Sequence, residues 1–191
     1  YYGDTTAESL IVGKSLAKPL AVIAVGRALQ EGFIDSLDQP AADFITEWRD
    51  TPKEAITLRQ LVGNRSGLMP QGAMPTADDI MARAYLHPAH DEVLIHEYPL
   101  VDEPGSRYEY SNANSELVAP LLERATGVAY EDWLAAEVLT PLGARGGQIW
   151  MNRPGGTPHS GCCILLPAET YLRLALLLLN DGAWEGRRLL P

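Results

Sequence analysis

Ser15 and Lys18 stand three residues apart at the head of an apolar run, in the segment Gly13-Lys14-Ser15-Leu16-Ala17-Lys18. On a helix, positions i and i+3 share a face about 5–6 Å apart at Cβ, which puts an amine within reach of an alcohol. A serine hydroxyl is a weak nucleophile at neutral pH, and a neighbouring amine that accepts its proton is one way to activate it. The chemistry on offer is acyl transfer through a serine ester. A capped helix start with a solvated lysine would use the same residues, so the pair alone decides nothing.

A second segment adds to it. In Pro104-Gly105-Ser106-Arg107-Tyr108-Glu109-Tyr110-Ser111-Asn112, Pro-Gly marks a turn and the tyrosines alternate as in a short extended stretch. An apolar run from Leu117 to Leu122 follows, so the Ser/Asn cluster reads as the start of a helix. Tyr110 beside a Ser/Lys pair would serve as a general base if nearby cations favour its phenolate. Asn112 carries an amide able to donate to a substrate carbonyl or to accept from the lysine. An interfacial tyrosine bonded locally is the competing reading. A third segment, Ile56 to Leu68, has Leu58, Leu61 and Val62 at helical spacing and ends in Ser66-Gly67-Leu68, and no chemistry follows from it.

The three segments in this order resemble the serine β-lactamase and penicillin-binding-protein superfamily. The similarity is to the branch holding class C β-lactamases, D-alanyl-D-alanine carboxypeptidases, esterases and 6-aminohexanoate-dimer hydrolases. Its Ser-x-x-Lys corresponds to Ser15-Leu16-Ala17-Lys18, its leucine-rich Ser-Gly-Leu segment to Ile56–Leu68, and its Tyr-x-Asn to Tyr110-Ser111-Asn112. The likeness extends into Asp181–Pro191. It implies Ser15 as nucleophile, Lys18 and Tyr110 as a coupled base, Asn112 as a substrate-binding residue and the Ser15 N–H as one oxyanion donor.

The chain also departs from the family. The third motif, Lys-Thr-Gly or His-x-Gly on a strand, has no counterpart in place. His159-Ser160-Gly161 has the letters but lies before the last helix, where the family has a glycine-rich loop. The triplet is expected after Pro191, and strands are expected before Ser15, so the chain reads as the middle of a longer protein. Tyr-Ser-Asn in place of Ser-Asp-Asn disfavours a class A mechanism.

The elements that must position these groups are mostly helical. Lys18 to Glu31 is apolar nearly all round and reads as a central buried helix closed by Gly32. Pro19 is tolerated only in a first turn, so the helix should start near Lys18, with Ser15 on a tighter turn before it. Residues 38–52 and 70–101 read as loops with short helices. Helices are expected over Glu116–Arg124, closed by Gly127, and over Tyr130–Leu139. A last helix should start at Pro167, with Leu172, Leu176 and Leu179 on one side. Residues 143–161 read as loop or short strands. The expected fold class is mainly α, the helical lobe plus flanking helices of a β-lactamase-like α/β and all-α fold with the sheet largely missing. By resemblance, residues 1–191 form one partial domain, with about 36–150 as the helical lobe and 1–35 and 151–191 packing on the α/β lobe.

Composition narrows the partners. The chain has 191 residues, 46% of them hydrophobic, and a formal net charge of -10, which disfavours nucleic acid. No run is long enough to span a bilayer, since Leu174–Leu179 is too short. A small-molecule or peptide substrate is expected, with no cofactor and no metal. The family suggests the periplasm or secretion, with the cytoplasm also represented. Cys162 and Cys163 are the only cysteines, and adjacent cysteines fit ordinary disulfide geometry poorly, so free buried thiols are expected. His87, His90, Asp91 and His96 offer zinc-type donors. Pro88 breaks their helical presentation, and the segment reads as a solvated loop. Glu109 and Glu116 read as surface or capping residues. The functional expectation is a serine hydrolase that forms an acyl-enzyme on an ester, amide or β-lactam carbonyl. The alternatives are a penicillin-recognising sensor and an inactive scaffold.

Overall fold

The structure is a computed structural model, and it describes residues 3–72 and 76–190. Residues 1–2 and 73–75, and Pro191 at the end of the Asp181–Pro191 segment, lie outside the described residues.

The chain enters through strand β1 (Leu10–Val12), makes a 3-10 turn over Lys14–Leu16 and runs into helix α1 (Ala17–Gln30). Pro19 is the third residue of α1, where its missing N–H has no intrahelical acceptor to lose. Ser15 therefore sits on the tighter turn, as the proline requires. Ala17, Leu20, Ala21, Ile23, Ala24, Val25 and Ala28 are all buried, so α1 is the axis of the core.

Short helices α2 (Leu58–Val62), α3 (Ile80–Leu86) and α4 (His90–Glu92) follow, the last continuing as a π-helical turn over Val93–Glu97. Thr57 and Gln60 form a reciprocal capping box at the start of α2. Helices α5 (Asn112–Glu116), α6 (Val118–Thr126) and α7 (Tyr130–Leu134) come next, α7 running on as a π-helical turn to Leu139. Helices α6 and α7 pack on α1, and the indole N–H of Trp133 donates to the Ala24 carbonyl at 3.1 Å.

Strand β2 (Leu165–Pro167) pairs antiparallel with β1 in the register Leu10↔Pro167, Ile11↔Leu166, Val12↔Leu165. Helix α8 (Ala168–Leu179) follows, then a small hairpin of β3 (Ala183–Trp184) and β4 (Arg187–Arg188). The architecture is mainly α with two two-stranded sheets among the described residues, as the sequence led us to expect. In α8, Leu174 and Leu177 face the core, whereas Leu172, Leu176 and Leu179 form its exposed side.

Three expectations are corrected. The helix expected over 116–124 begins at Asn112 and is interrupted at Leu117. Pro120 has no N–H for the Glu116 carbonyl. The Ser160 hydroxyl takes up the freed groups, donating to the carbonyls of Ser115 and Glu116 at 2.6 and 3.2 Å and accepting from the Ala119 N–H at 3.0 Å. Glu116 is consequently not on the surface; it is 1% exposed. Second, Cys162 and Cys163 are joined as a vicinal disulfide, not free thiols, with the Tyr85 hydroxyl 2.8 and 3.2 Å from the two sulfurs. Cys163 adopts a positive φ of 66°, a backbone state that adjacency alone does not reveal. Third, the His87–His96 segment is not uniformly solvated, because His90 is fully buried.

Candidate active site

Ser15 is presented by a strained approach. Lys14, immediately before it, has φ of 46°, and the carbonyl of Lys14 accepts from the Cys163 N–H at 3.1 Å. Gly13 donates to the Ile164 carbonyl at 3.0 Å, and a Cβ at Gly13 would lie 2.1 Å from the Tyr171 hydroxyl, so only glycine fits. These bonds pin the 3-10 turn and leave the Ser15 side chain exposed.

Lys18, one turn on, donates to Ser15 Oγ at 3.3 Å and to the Gly161 carbonyl at 2.7 Å. The Tyr110 hydroxyl, 95 residues away in sequence, is 3.1 Å from Ser15 Oγ. The Lys18 ammonium also lies 5.2 Å from the centroid of the Tyr110 ring. Alcohol, amine and phenol thus converge. Burial acts to raise the Tyr110 pKa, but hydrogen bonds with Ser15 and Lys18, together with the Lys18 charge, outweigh it and leave the phenol below its usual 10.

Tyr110 is held in place by residues on either side of the Ser66-Gly67-Leu68 segment, for which the sequence offered no chemistry. The Tyr110 carbonyl itself accepts from the Gln71 N–H at 2.7 Å. Asn64 accepts from the Glu109 N–H through its carbonyl at 2.9 Å and from the Ser111 N–H through its side chain at 3.2 Å. The Ser111 hydroxyl donates to the Met69 carbonyl at 2.8 Å. Ser66 donates to the Asn114 side chain, whose amide in turn donates to Asn64 at 3.1 Å. Gly67 has φ of 79°, and a Cβ there would meet the Asp102 carbonyl at 2.2 Å. The motif is a clamp on the tyrosine strand. In the sequence, Ser66-Gly67 read only as the end of a helix-like element with no chemistry of its own.

Asn112 opens α5 beside Tyr110, but its side-chain oxygen is buried without a hydrogen-bond partner and is bonded to none of the three converging groups. It lines a cavity of about 220 Å³ together with Gln71, Tyr85, Tyr98 and Glu116. A cavity of about 270 Å³ between Leu134 and Leu166 holds none of the site residues.

The histidines separate. His87 and His96 are exposed, His87 accepting from the Ala89 N–H at 3.1 Å and His96 lying 3.2 Å from the Glu92 carboxylate. His90 points inward and stacks on His159, with ring centroids 4.2 Å apart. Burial, then the neighbouring His159, lowers the His90 pKa to about 4. His159-Ser160-Gly161 does not supply the family's third motif on a strand. Its carbonyl at Gly161 nevertheless reaches Lys18, a contact that no sequence spacing signals.

Residues 1–160 match the family model for Beta-lactamase. The chain belongs to the beta-lactamase family. A D-aminopeptidase of Brucella anthropi is 26% identical over 147 residues, covering 76% of this chain and 26% of that protein. A Bacillus anthracis structure provisionally named a 6-aminohexanoate-dimer hydrolase superposes with a TM-score of 0.84 at 21% identity, covering all of this chain and 53% of that one. A class C beta-lactamase from Rhodobacter sphaeroides gives a TM-score of 0.70 at 21% identity, covering 94% of this chain and 54% of its own. This beta-lactamase-family chain therefore spans about a quarter of the aminopeptidase and about half of the two structures. The aminopeptidase and the dimer hydrolase are hydrolases, whereas a monacolin J acid methylbutanoyltransferase of Aspergillus terreus, 34% identical over 90 residues and covering 46% of this chain and 22% of that protein, is an acyltransferase. Among the described residues no helix is long and apolar enough to cross a membrane.

Proposed function

We propose that the chain carries the nucleophile and base of a serine hydrolase that works through an acyl-enzyme. The observation carrying this reading is the placement of Ser15 Oγ within 3.1 Å of the Tyr110 hydroxyl and 3.3 Å of Lys18 Nζ. Those are hydrogen-bond distances for a nucleophile and its base.

Ser15 Oγ attacks a carbonyl carbon, and its proton passes to Tyr110, whose phenolate the Lys18 charge favours. The resulting oxyanion is received by the Ser15 N–H, as a donor at a helix entrance would. When the carbonyl re-forms, the bond to the leaving group breaks and Tyr110 returns the proton to it. Water then attacks the Ser15 ester and loses a proton to Tyr110, which passes it to Ser15 Oγ as the ester bond breaks and the acid leaves. Lys18, anchored on the Gly161 carbonyl, keeps the field positive throughout. Asn112, with an unclaimed amide oxygen at the cavity wall, orients a substrate amide.

The substrate class is a small ester, amide, peptide or β-lactam, and kinship with a D-aminopeptidase favours amide-bearing substrates. By resemblance to the family we assign it to the periplasm or the outside of the cell, with the cytoplasm as the alternative. Residues 36–150 would act as the helical lobe over an α/β lobe.

The test sets a p-nitrophenyl ester beside a fluorescent penicillin. Ester turnover lost in Ser15→Ala supports the hydrolase. Stable penicillin labelling without turnover identifies a sensor, and neither signal from a folded protein identifies a scaffold.

A further inference from the structure

Behind the candidate active site lies a buried cluster that the proposed chemistry does not use. His90, Glu116 and His159 are 0%, 1% and 0% exposed, and one potential ligand atom from each lies within 4.8 Å of the others. Both nitrogens of His90, both carboxylate oxygens of Glu116 and Nδ1 of His159 are buried with no hydrogen-bond partner. Buried polar atoms are satisfied in about nine cases of ten, so five together call for an explanation.

The hydrogen bonds around His159 narrow it. Asn152 donates through Nδ2 to the carbonyls of Tyr85 and His87, both at 2.9 Å. Carbonyls only accept, so the Asn152 amide has one possible orientation and its Oδ1 faces His159 Nε2 at 3.1 Å. An amide oxygen also only accepts, which places the ring proton on Nε2. In the neutral ring, Nδ1 then presents a lone pair to Glu116 Oε2, 3.2 Å away. Two lone pairs at that distance repel unless something positive lies between or beside them.

A metal ion fits the spacing of His159 Nδ1 and Glu116 Oε2. Two donors on a tetrahedral ion with arms of about 2.0–2.1 Å lie about 3.3 Å apart. An imidazole whose far N–H is fixed by an outer hydrogen bond is the usual arrangement of a metal-binding histidine. Two imidazoles and a carboxylate form a zinc-type donor set, whereas calcium and magnesium prefer oxygen alone. The His90 and His159 rings are nearly parallel, at 5°, so their in-plane lone pairs do not yet converge. Turning His90 about its side-chain bonds sacrifices no hydrogen bond, because neither of its nitrogens has one. Glu116 also lines the cavity of about 220 Å³, which has room for water as a fourth ligand.

We propose that His90, Glu116 and His159 form a buried site for a zinc-class divalent cation, a site independent of whether Ser15 is a nucleophile. It lies against the segment that anchors Lys18, since a Cβ at Gly161 would be 2.8 Å from Glu116 Oε1.

The test uses the protein stripped with a chelator and titrated with cobalt(II), followed by its visible ligand-field absorption and by elemental analysis after zinc loading. The expected result is one equivalent bound, with the intense absorption of a tetrahedral site. Glu116→Gln and His90→Phe should each weaken binding at least tenfold, and Asn152→Ala about tenfold to a hundredfold through loss of the outer hydrogen bond. His90→Phe preserves an aromatic ring against His159, and circular dichroism of each variant establishes that it is folded. Folded wild-type protein that takes up no stoichiometric cobalt or zinc overturns the proposal. So does affinity unchanged in a folded His90→Phe or Glu116→Gln variant. Nitrogen NMR showing both His159 nitrogens protonated in protein that resists cobalt would assign the positive charge to a proton instead.

Discussion

The carbonyl of Gly161 accepts a 2.7 Å hydrogen bond from Lys18 Nζ across 143 residues of sequence. That bond fixes the amine one helical turn from Ser15 and connects the start of α1 to the loop before β2. The same loop is held from behind by Ser160, which caps the interrupted helix at residues 115–119. The position of the Lys18 charge thus depends on the backbone carbonyl of a remote glycine.

Gly161→Ala should separate these effects. The added Cβ would fall 2.8 Å from Glu116 Oε1 and 3.0 Å from Ser115 Cβ, so the loop must move away. Displacing a positioning group by about 1 Å can cost about a hundredfold in rate. We expect kcat on an ester to fall by about tenfold to a hundredfold while the fold persists. Steady-state kinetics beside circular dichroism makes the check, and an unchanged kcat would remove Gly161 from the account.

Tyr110→Phe should lower kcat by about a hundredfold to ten-thousandfold, the usual worth of a general base. The pH profile carries a sharper signature. A base must be deprotonated to work, so activity rises with pH through the Tyr110 ionisation, which is lowered below the usual 10. Lys18→Met leaves the Ser15 hydrogen bond but removes the Lys18 hydrogen bond and charge that also lower it, and should move the rising limb to higher pH. A limb left in place would assign it to another group.

Ser66→Ala tests the clamp on the tyrosine strand. Ser66 is 1% exposed and its hydroxyl bonds both Asn114 and the Leu68 N–H. Leaving a buried partner unsatisfied costs about 1–3 kcal/mol. Urea unfolding should report a loss in that range. A loss under 0.5 kcal/mol, an order-of-magnitude floor for surface changes, would show that water replaces the hydroxyl.

Stability should also depend on pH through Glu47. Its hydrogen bonds with Arg124, opposed by partial burial, lower the carboxyl from 4.5 to about 2. A carboxylate lowered on folding stabilises the native state above its unfolded pKa and loses that contribution as pH falls through the folded value. Both side chains are about a third exposed, 31% and 34%, and solvent screening reduces the pair to about 1 kcal/mol. Wild type and Glu47→Gln should differ by that amount above pH 4.5 and converge towards pH 2. Curves that stay parallel down to acid pH would contradict it.

Much of this arrangement was legible in the sequence because local rules write it there. Pro19 placed the start of α1, and the i, i+3 spacing put Ser15 and Lys18 on one face. The ordered segments Ser15–Lys18, Ile56–Leu68 and Tyr110–Asn112 identified the family before any contact was known. What only the tertiary structure decided are pairings between distant segments: Tyr110 on Ser15, Gly161 on Lys18, Ser66 on Asn114, and Glu116 with His90 and His159. The physical reason is range. Helical periodicity and capping act over three or four residues, so a pattern can record them. A buried carboxylate or a free carbonyl has no pattern of its own, because its meaning lies in which remote backbone packs against it.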